Sequence, residues 1–199
     1  MRTFDIPTQA IHSRSGVIAR QMIWITAKNR TTGAPETIGF WNGADHEVVT
    51  IGGVARTYYG AGTMLNVPRI ITEIGVKVRT HRITFSSIAP EVQIALRQYD
   101  ARFAPIEVHR VLLDLDTRAL VSEPHRVLKG QINKHPIPTK KPGDSATLTL
   151  EIVTSARALT RTLALKKSDE SQQLRGGDRF RKHADIAGEV ITYWGEKKL

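Results

Sequence analysis

Residues 70–113 read IITEIGVKVRTHRITFSSIAPEVQIALRQYDARFAPIEVHRVLL, and the changes of pattern within them decide the fold. Ile74, Val76 and Val78 alternate with Gly75, Lys77 and Arg79, the period of a strand with one buried and one wet face. The apolar set then passes to Ile83 and Phe85, which predicts a bulge or sharp bend over 80–82. After Ser87 the spacing turns helical. Pro90 suits a first helical turn, Glu91 suits the positive helix end, and Val92, Leu96 and Tyr99 recur on one side, predicting a short helix over 90–99. Ala104 and Pro105 reset the chain into a strand carrying Ile106, Val108, Val111, Leu112 and Leu113. Strand, short helix, strand is the central unit.

Upstream, residues 8–14 read as a helical turn or two around Ile11, and 17–27 as a first strand built on Ile18, Met22, Ile23, Trp24 and Ile25. Residues 29–35 form a turn, 37–41 a strand, and Asn42-Gly43 a hairpin turn or a plain loop before a strand over 48–51. Gly52 and Gly53 mark a tight reversal into a strand over 54–59. Residues 64–69 carry Pro68, which fits an edge strand or a lead-in. Turns at roughly ten-residue intervals are the signature of a sandwich or barrel.

Downstream, 114–118 is turn-like, 119–121 can pair back on 111–113, and 126–132 reads as a strand broken at Gly130. Residues 134–144 hold three prolines and three lysines and read as an exposed loop. Residues 146–153 alternate, with Leu148, Leu150 and Ile152 on one face. Leu159, Leu163 and Leu165 are able to finish a sheet, but 166–182 is polar, with Phe180 as its one aromatic. It reads as an arm lying on a neighbouring chain, with order returning over 190–194.

Composition closes several classes. The 199 residues contain no cysteine, so disulfides, thiolate metal sites and cysteine nucleophiles are excluded. No apolar run is long enough for a membrane helix, and residues 1–6 lack a signal-like apolar core, so synthesis in a cytoplasm is expected. The net charge of +10 raises nucleic acid as a partner. The charge is spread: Lys and Arg outnumber Asp and Glu by 10 to 5 over residues 1–90, 10 to 8 over 91–160 and 9 to 6 over 161–199.

No catalytic, metal-binding or cofactor-binding residues are assigned. The histidines, His12, His46, His81, His109, His125, His135 and His183, show no metal-ligand spacing, and read as polar or half-buried side chains. Asp114 and Asp116 read as turn residues. Gly52, Gly53, Gly60 and Gly62 lack the lysine, hydroxyl and helix of a phosphate loop, and Ser13 and Ser15 lack a nucleophile-elbow frame. The densest basic cluster, Arg175, Arg179, Arg181 and Lys182, lies near Phe180 and Trp194. Asp178, Asp185 and Glu189 interrupt it, which favours a protein contact over a nucleic-acid groove. Arg175, Arg179, Phe180, Arg181 and Trp194 are therefore the candidate inter-subunit contacts.

Glu151, Ser155, Leu159 and Arg161, then Ser168, Asp169 and Gln172, then Asp178 and Phe180, closing on Ile191, Trp194 and Gly195, resemble the ending of phage, prophage and gene-transfer-agent tail-tip proteins. Residues 24–29, 45–49 and 53–59 are similar to the opening strands of the siphophage tail hub family. The resemblance implies a non-enzymatic ring component of a long non-contractile tail, lying between the distal tail ring and the central fibre. It implies a homo-oligomer, commonly a trimer, with a hexameric distal tail ring as the alternative. Its implied partners are the distal tail protein, the central fibre protein and the tape-measure protein, with transient passage of DNA. Some relatives carry a cysteine-bound iron–sulfur cluster, which the absence of cysteine rules out, so no cofactor is expected.

The expected fold is mainly β (α+β), a tail-tube-like antiparallel β-barrel or sandwich with one or two short helices and an extended C-terminal arm. The hub domain is expected over 1–160 and the arm with a terminal strand over 161–199. The expected location is the virion tail tip, with the basic residues facing acidic partner proteins more than the channel lumen. A basic nucleic-acid-binding domain and a cell-wall hydrolase are the rival readings.

Overall fold

The computed structural model describes residues 4–14, 16–71, 77–134, 147–160, 166–184, 186, 188, 189 and 195. The chain divides into two compact units, Met1–Leu159 and Thr160–Leu199. In the first, the described residues form helices α1 (Ile6–His12) and α2 (Pro90–Gln98) and strands β1 (Ile18–Asn29), β2 (Pro35–Trp41), β3 (Glu47–Ile51), β4 (Val54–Tyr59), β5 (Met64–Asn66), β6 (Thr80–Ser86), β7 (Tyr99–Asp100), β8 (Pro105–Leu113), β9 (His125–Lys134) and β10 (Thr147–Thr154). The second carries α3 (Asp169–Gln173).

The strands join one sheet in the order β3-β4-β2-β1-β8-β9-β10-β6-β5, with β7 paired to the end of β1. Five strand steps separate β2 from β6, which would be about 24 Å in a flat sheet. Yet the Phe40 and Phe85 rings from those strands lie 5.3 Å apart. The sheet therefore curls until its two halves face each other as a β-sandwich. Burial is the cause: Ile23, Ile25, Phe40, Ile83, Phe85, Ile106, Val108, Ile132, Leu150 and Ile152 project onto one face and close a single core. Val92 of α2 is buried against that core.

The helix over 90–99 is present, ending one residue earlier, and Tyr99 instead pairs with Asn29. Gly52 (φ 59°) and Gly53 (φ 78°) make the two-residue reversal between β3 and β4, with Ile51 opposite Val54. Ala119–Val121 does fold back on β8, through a Leu113–Leu120 bridge and the Val121 N–H donated to the Leu112 carbonyl.

Other expectations need correction. Residues 77–79 are not strand, and Val78 is exposed, while 72–76 lie outside the described residues. No bulge lies at 80–82: β6 runs beside β10 in unbroken register from Ser86–Thr147 to Thr80–Val153. The phase change marks the start of a separate strand. The register shifts fall elsewhere: against β9, between Val108 and His109 and between Glu151 and Ile152, and in β5 against β6, between Met64 and Asn66. Gly130 does not break β9; an added Cβ would stand 2.2 Å from the Val153 carbonyl oxygen, so glycine there admits β10 closely. The sheet is mixed, because β2 and β4 pair in parallel. Leu159 sits in a 3-10 turn, Ser155–Thr160, and is exposed. The predicted loop over 134–144 beyond Lys134, and Leu163, Leu165, residues 190–194 and Trp194, lie outside the described residues.

Candidate functional site

On the sheet face opposite the main core, the β3–β4 hairpin folds over β1 and β8. Gly39 makes this possible, since a Cβ there would meet the Thr57 carbonyl at 2.5 Å and the Tyr58 ring at 2.8 Å. Met22, Trp41, Val49, Tyr58 and Val111 form a small second core beneath the hairpin. Asn42-Gly43 is a loop, and Gly43 leaves room for the Trp41 indole, whose Nε1 donates to the Asp45 carbonyl at 2.6 Å.

Beside this core stands a charged cluster drawn from β1, β4, β8 and β9. Arg56 Nη1 donates to Glu107 Oε2 at 3.0 Å and Arg126 Nη1 to Glu107 Oε1 at 3.1 Å. The Arg56 guanidinium also lies 5.1 Å from the Trp24 ring centre, and the Trp24 and Tyr58 rings pack tilted at 53°, 5.4 Å apart. His109 is 2% exposed, with Nε2 3.9 Å from Glu107 Oε2 and with Nδ1 lacking a hydrogen-bond partner. Burial pushes His109 down to about 4, against the pull of Glu107 and with the push of Arg56 and Arg126. Burial acts to raise Glu107, but its bond to Arg56, the charge of His109 and the bond to Arg126 outweigh that and hold its carboxyl below the usual range. An ionised carboxylate clamped by two guanidiniums and a neutral imidazole is a poor proton shuttle and a good structural tie. Sequence reading missed this cluster: its members come from four segments, and only the isolated polar residues in apolar strands hinted at it.

Asp114 lies in the predicted turn, accepting the N–H groups of Asp116 and Thr117, each at 3.0 Å, which lowers its pKa. His46 accepts from the Gly60 N–H at 3.3 Å, and His12 and His125 flank the Phe4 ring at 5.8 and 5.1 Å. Among the described residues, no group of three or more His, Asp or Glu side chains could hold a metal ion. Nor is any helix among them long and apolar enough to cross a membrane.

In the second unit, the residues of the C-terminal pattern hold one another. Ser168 caps α3 by accepting the Ser171 N–H at 3.3 Å. Arg179 Nη2 donates to Asp169 Oδ2 at 2.6 Å, Gln173 donates to the same oxygen at 2.8 Å, and the Asp169 pKa falls, chiefly through Arg179. Gln172 donates to Asp178 at 2.7 Å and accepts from Arg181 Nε at 3.2 Å. Arg179 and Arg181 are thus engaged within the unit. Phe180 is 86% exposed, Leu174 is 75% exposed and Arg175 is exposed. Of the arm expected over 161–199, the described stretch 166–184 has a short helix followed by turns that its composition did not announce.

No family model matches the chain, and no curated protein matches it. Among solved structures, it is similar to a chain from the virion of a native gene transfer agent (GTA) particle, with 16% identity and a TM-score of 0.51 over 83% of this chain and 49% of that one. The chain spans about half the length of that protein, and the likeness is one of fold.

Proposed function

We propose that the chain is a virion structural protein of a phage-like particle, a tail-tip hub. In this reading it forms a ring between the distal tail and the central fibre, conducts DNA during host entry and has no enzymatic role. The observation that carries the reading is the curled sandwich with its fold likeness to a gene-transfer-agent virion chain across most of its length. The sheet edges support it. Among the described residues β3 and β5 end the sheet, and Val48 on β3 and Leu65 on β5 are exposed. Open edges with exposed valine and leucine are a hazard to a free monomer and an asset to a ring, where neighbouring copies cover them.

Within this reading Phe180 and Arg175 contact the neighbouring subunit, and Arg179 and Arg181 hold the turn that displays them. Trp194 completes the contact set carried from the sequence. The distal tail, central fibre and tape-measure proteins are the neighbours in the assembly.

Light scattering of the purified protein, alone and with its tail partners, tests the proposal. A trimer is expected; a hexamer would move the chain to the distal tail ring. Phe180→Ser should dissociate the ring while changing fold stability by no more than about 0.5 kcal/mol, as for an exposed site. A monomer that stays monomeric with its partners present refutes the hub.

A further inference from the structure

His109 is buried by the part of the sheet that is most loosely attached. Along β8, Glu107, His109, Val111 and Leu113 share the face turned away from the main core. The β3–β4 hairpin roofs that face, with Val49 and Tyr58 packed on Met22, Trp41 and Val111. Among the described residues, β4 joins the rest of the sheet in parallel at Gly39–Tyr58 and Phe40–Tyr59 alone, and β3 lies outermost beyond it. By contrast, β1 and β8 pair without interruption from Ile18–Leu113 to Ile25–Ile106, and β6 and β10 from Ser86–Thr147 to Thr80–Val153. Within the hairpin the register runs from Glu47–Tyr58 to Ile51–Val54, so the hairpin holds together as one piece when the β2–β4 seam parts. Side chains tie it down: Arg56 bonds to Glu107 and covers Trp24, and the Glu123 carboxylate accepts the Gly52 N–H at the hairpin tip.

We propose that the β3–β4 hairpin is a lid released by protonation of His109, which bares the small core beneath it while the rest of the sheet stays folded. The charged groups around His109 are Glu107 on β8, Arg56 on β4, Arg126 on β9 and Glu123 in the segment before β9. Further along the same face, Arg20 of β1 stands opposite Val111 and Glu47 of β3 opposite Tyr58. The nearer parts of β1, β2 and β3 contribute the uncharged Met22, Trp41 and Val49. With the imidazole neutral, the two guanidiniums and two carboxylates closest to it balance. A proton adds an uncompensated charge to a side chain that is 2% exposed and has Nδ1 unpaired, and the two guanidiniums repel it. Glu107 attracts the imidazolium, but from 3.9 Å and with each of its oxygens already accepting an arginine. Water reaches His109 when the short seam parts, with no break in the long β1–β8 ladder, so local opening is the least costly way to hydrate the charge. The sign follows from the folded pKa of about 4, below the ordinary 6.5: the closed lid is favoured in full above 6.5 and loses that preference as pH falls toward 4.

The test is hydrogen–deuterium exchange of the full chain, read by mass spectrometry at pH 7 and pH 5 with exchange times scaled for the intrinsic pH dependence of amides. The folded and ordinary values of His109 make the open lid about 20-fold more populated at pH 5 than at pH 7. Peptides within 47–59 should lose protection by that factor, while those within 106–113 and 147–153 keep theirs. His109→Gln should exchange alike at both pH values. A second reading uses Val49→Cys, a buried position beneath the lid in a chain with no other cysteine. A disulfide reagent active in acid should label it about 20-fold faster at pH 5, relative to free cysteine, and should not do so for Ile152→Cys in the main core. These two cysteine variants decide the matter should His109→Gln fail to fold. Protection lost equally across the sheet, protection unchanged at pH 5, or a folded His109→Gln that still opens in acid overturns the proposal. The lid does not rest on the ring reading: a trimer whose hairpin stays shut at pH 5 refutes the lid alone, and a monomer whose hairpin opens refutes the hub alone.

Discussion

Acid should loosen the first unit through His109. The imidazole is 2% exposed and titrates near 4, against an ordinary value of 6.5. A depressed folded pKa means that the unfolded chain binds the proton first. The stability that His109 contributes as a neutral group is therefore complete above 6.5 and is lost as pH falls toward 4. The displacement of about 2.5 units corresponds to roughly 3 kcal/mol, of which about 2 kcal/mol falls between pH 7 and 4.5. Glu107 has the same sign in a lower window: its depressed pKa gives stability that is lost only as pH drops below the ordinary 4.5. His81, lowered by burial and by Arg79, adds to the His109 effect in the same direction. Urea titrations followed by tryptophan fluorescence, with Trp41 buried and Trp24 beside Arg56, should show the midpoint falling by about 1 M between pH 7 and 4.5. His109→Gln should lower stability at neutral pH yet remove most of that slope, and His81→Gln should remove the smaller part. The slope isolates the titration from any uniform loss of packing. A flat wild-type profile over this window, or a His109→Gln protein that keeps the full slope, refutes the account.

Two substitutions probe the packing around these sites. Gly39→Ala drives a methyl into the Thr57 carbonyl and the Tyr58 ring, so it should cost about 1–3 kcal/mol and weaken the tryptophan signature of the Trp24–Tyr58 contact; a melting temperature within a degree of wild type would contradict this. Ala27→Val fills part of a partly open apolar cleft of about 40 Å³ lined by Val92 and Ala95 of α2 and should raise stability by about 0.5–1.5 kcal/mol, with a fall in melting temperature as the contrary result.

The strands whose identity depends on nearby residues were legible in the sequence. Leu148, Leu150 and Ile152 announce β10 by alternation alone, Gly52-Gly53 announces its hairpin, and Pro90-Glu91 announces the start of α2. Each is a short-range decision of backbone geometry and side-chain period, so the chain of residues suffices. Asp114 also declared its turn, because its carboxylate bonds to N–H groups two and three residues on.

Pairing between distant segments was not legible. The phase change near residue 80 looks like a bulge within one strand until β10, more than sixty residues later, is seen to run beside β6 without interruption. Gly130 reads as a strand break and Gly43 as a turn or loop residue, but a Cβ at Gly130 would meet the Val153 carbonyl of β10 and one at Gly43 the Trp41 indole folded back over it, while Gly39, inside a predicted strand, is small because the Thr57 carbonyl passes close. The Glu107 cluster has the same origin. Arg56, Glu107 and Arg126 come from separate strands, and single polar residues in apolar strands carry no mark of their eventual neighbours. The sequence by itself determined a mainly β chain with its turns and a positive charge, because those follow from local period and composition. Only the tertiary structure decided that the sheet curls on itself, that one strand pair runs parallel, and which charges meet, because those depend on long-range register and on the burial that fixes it.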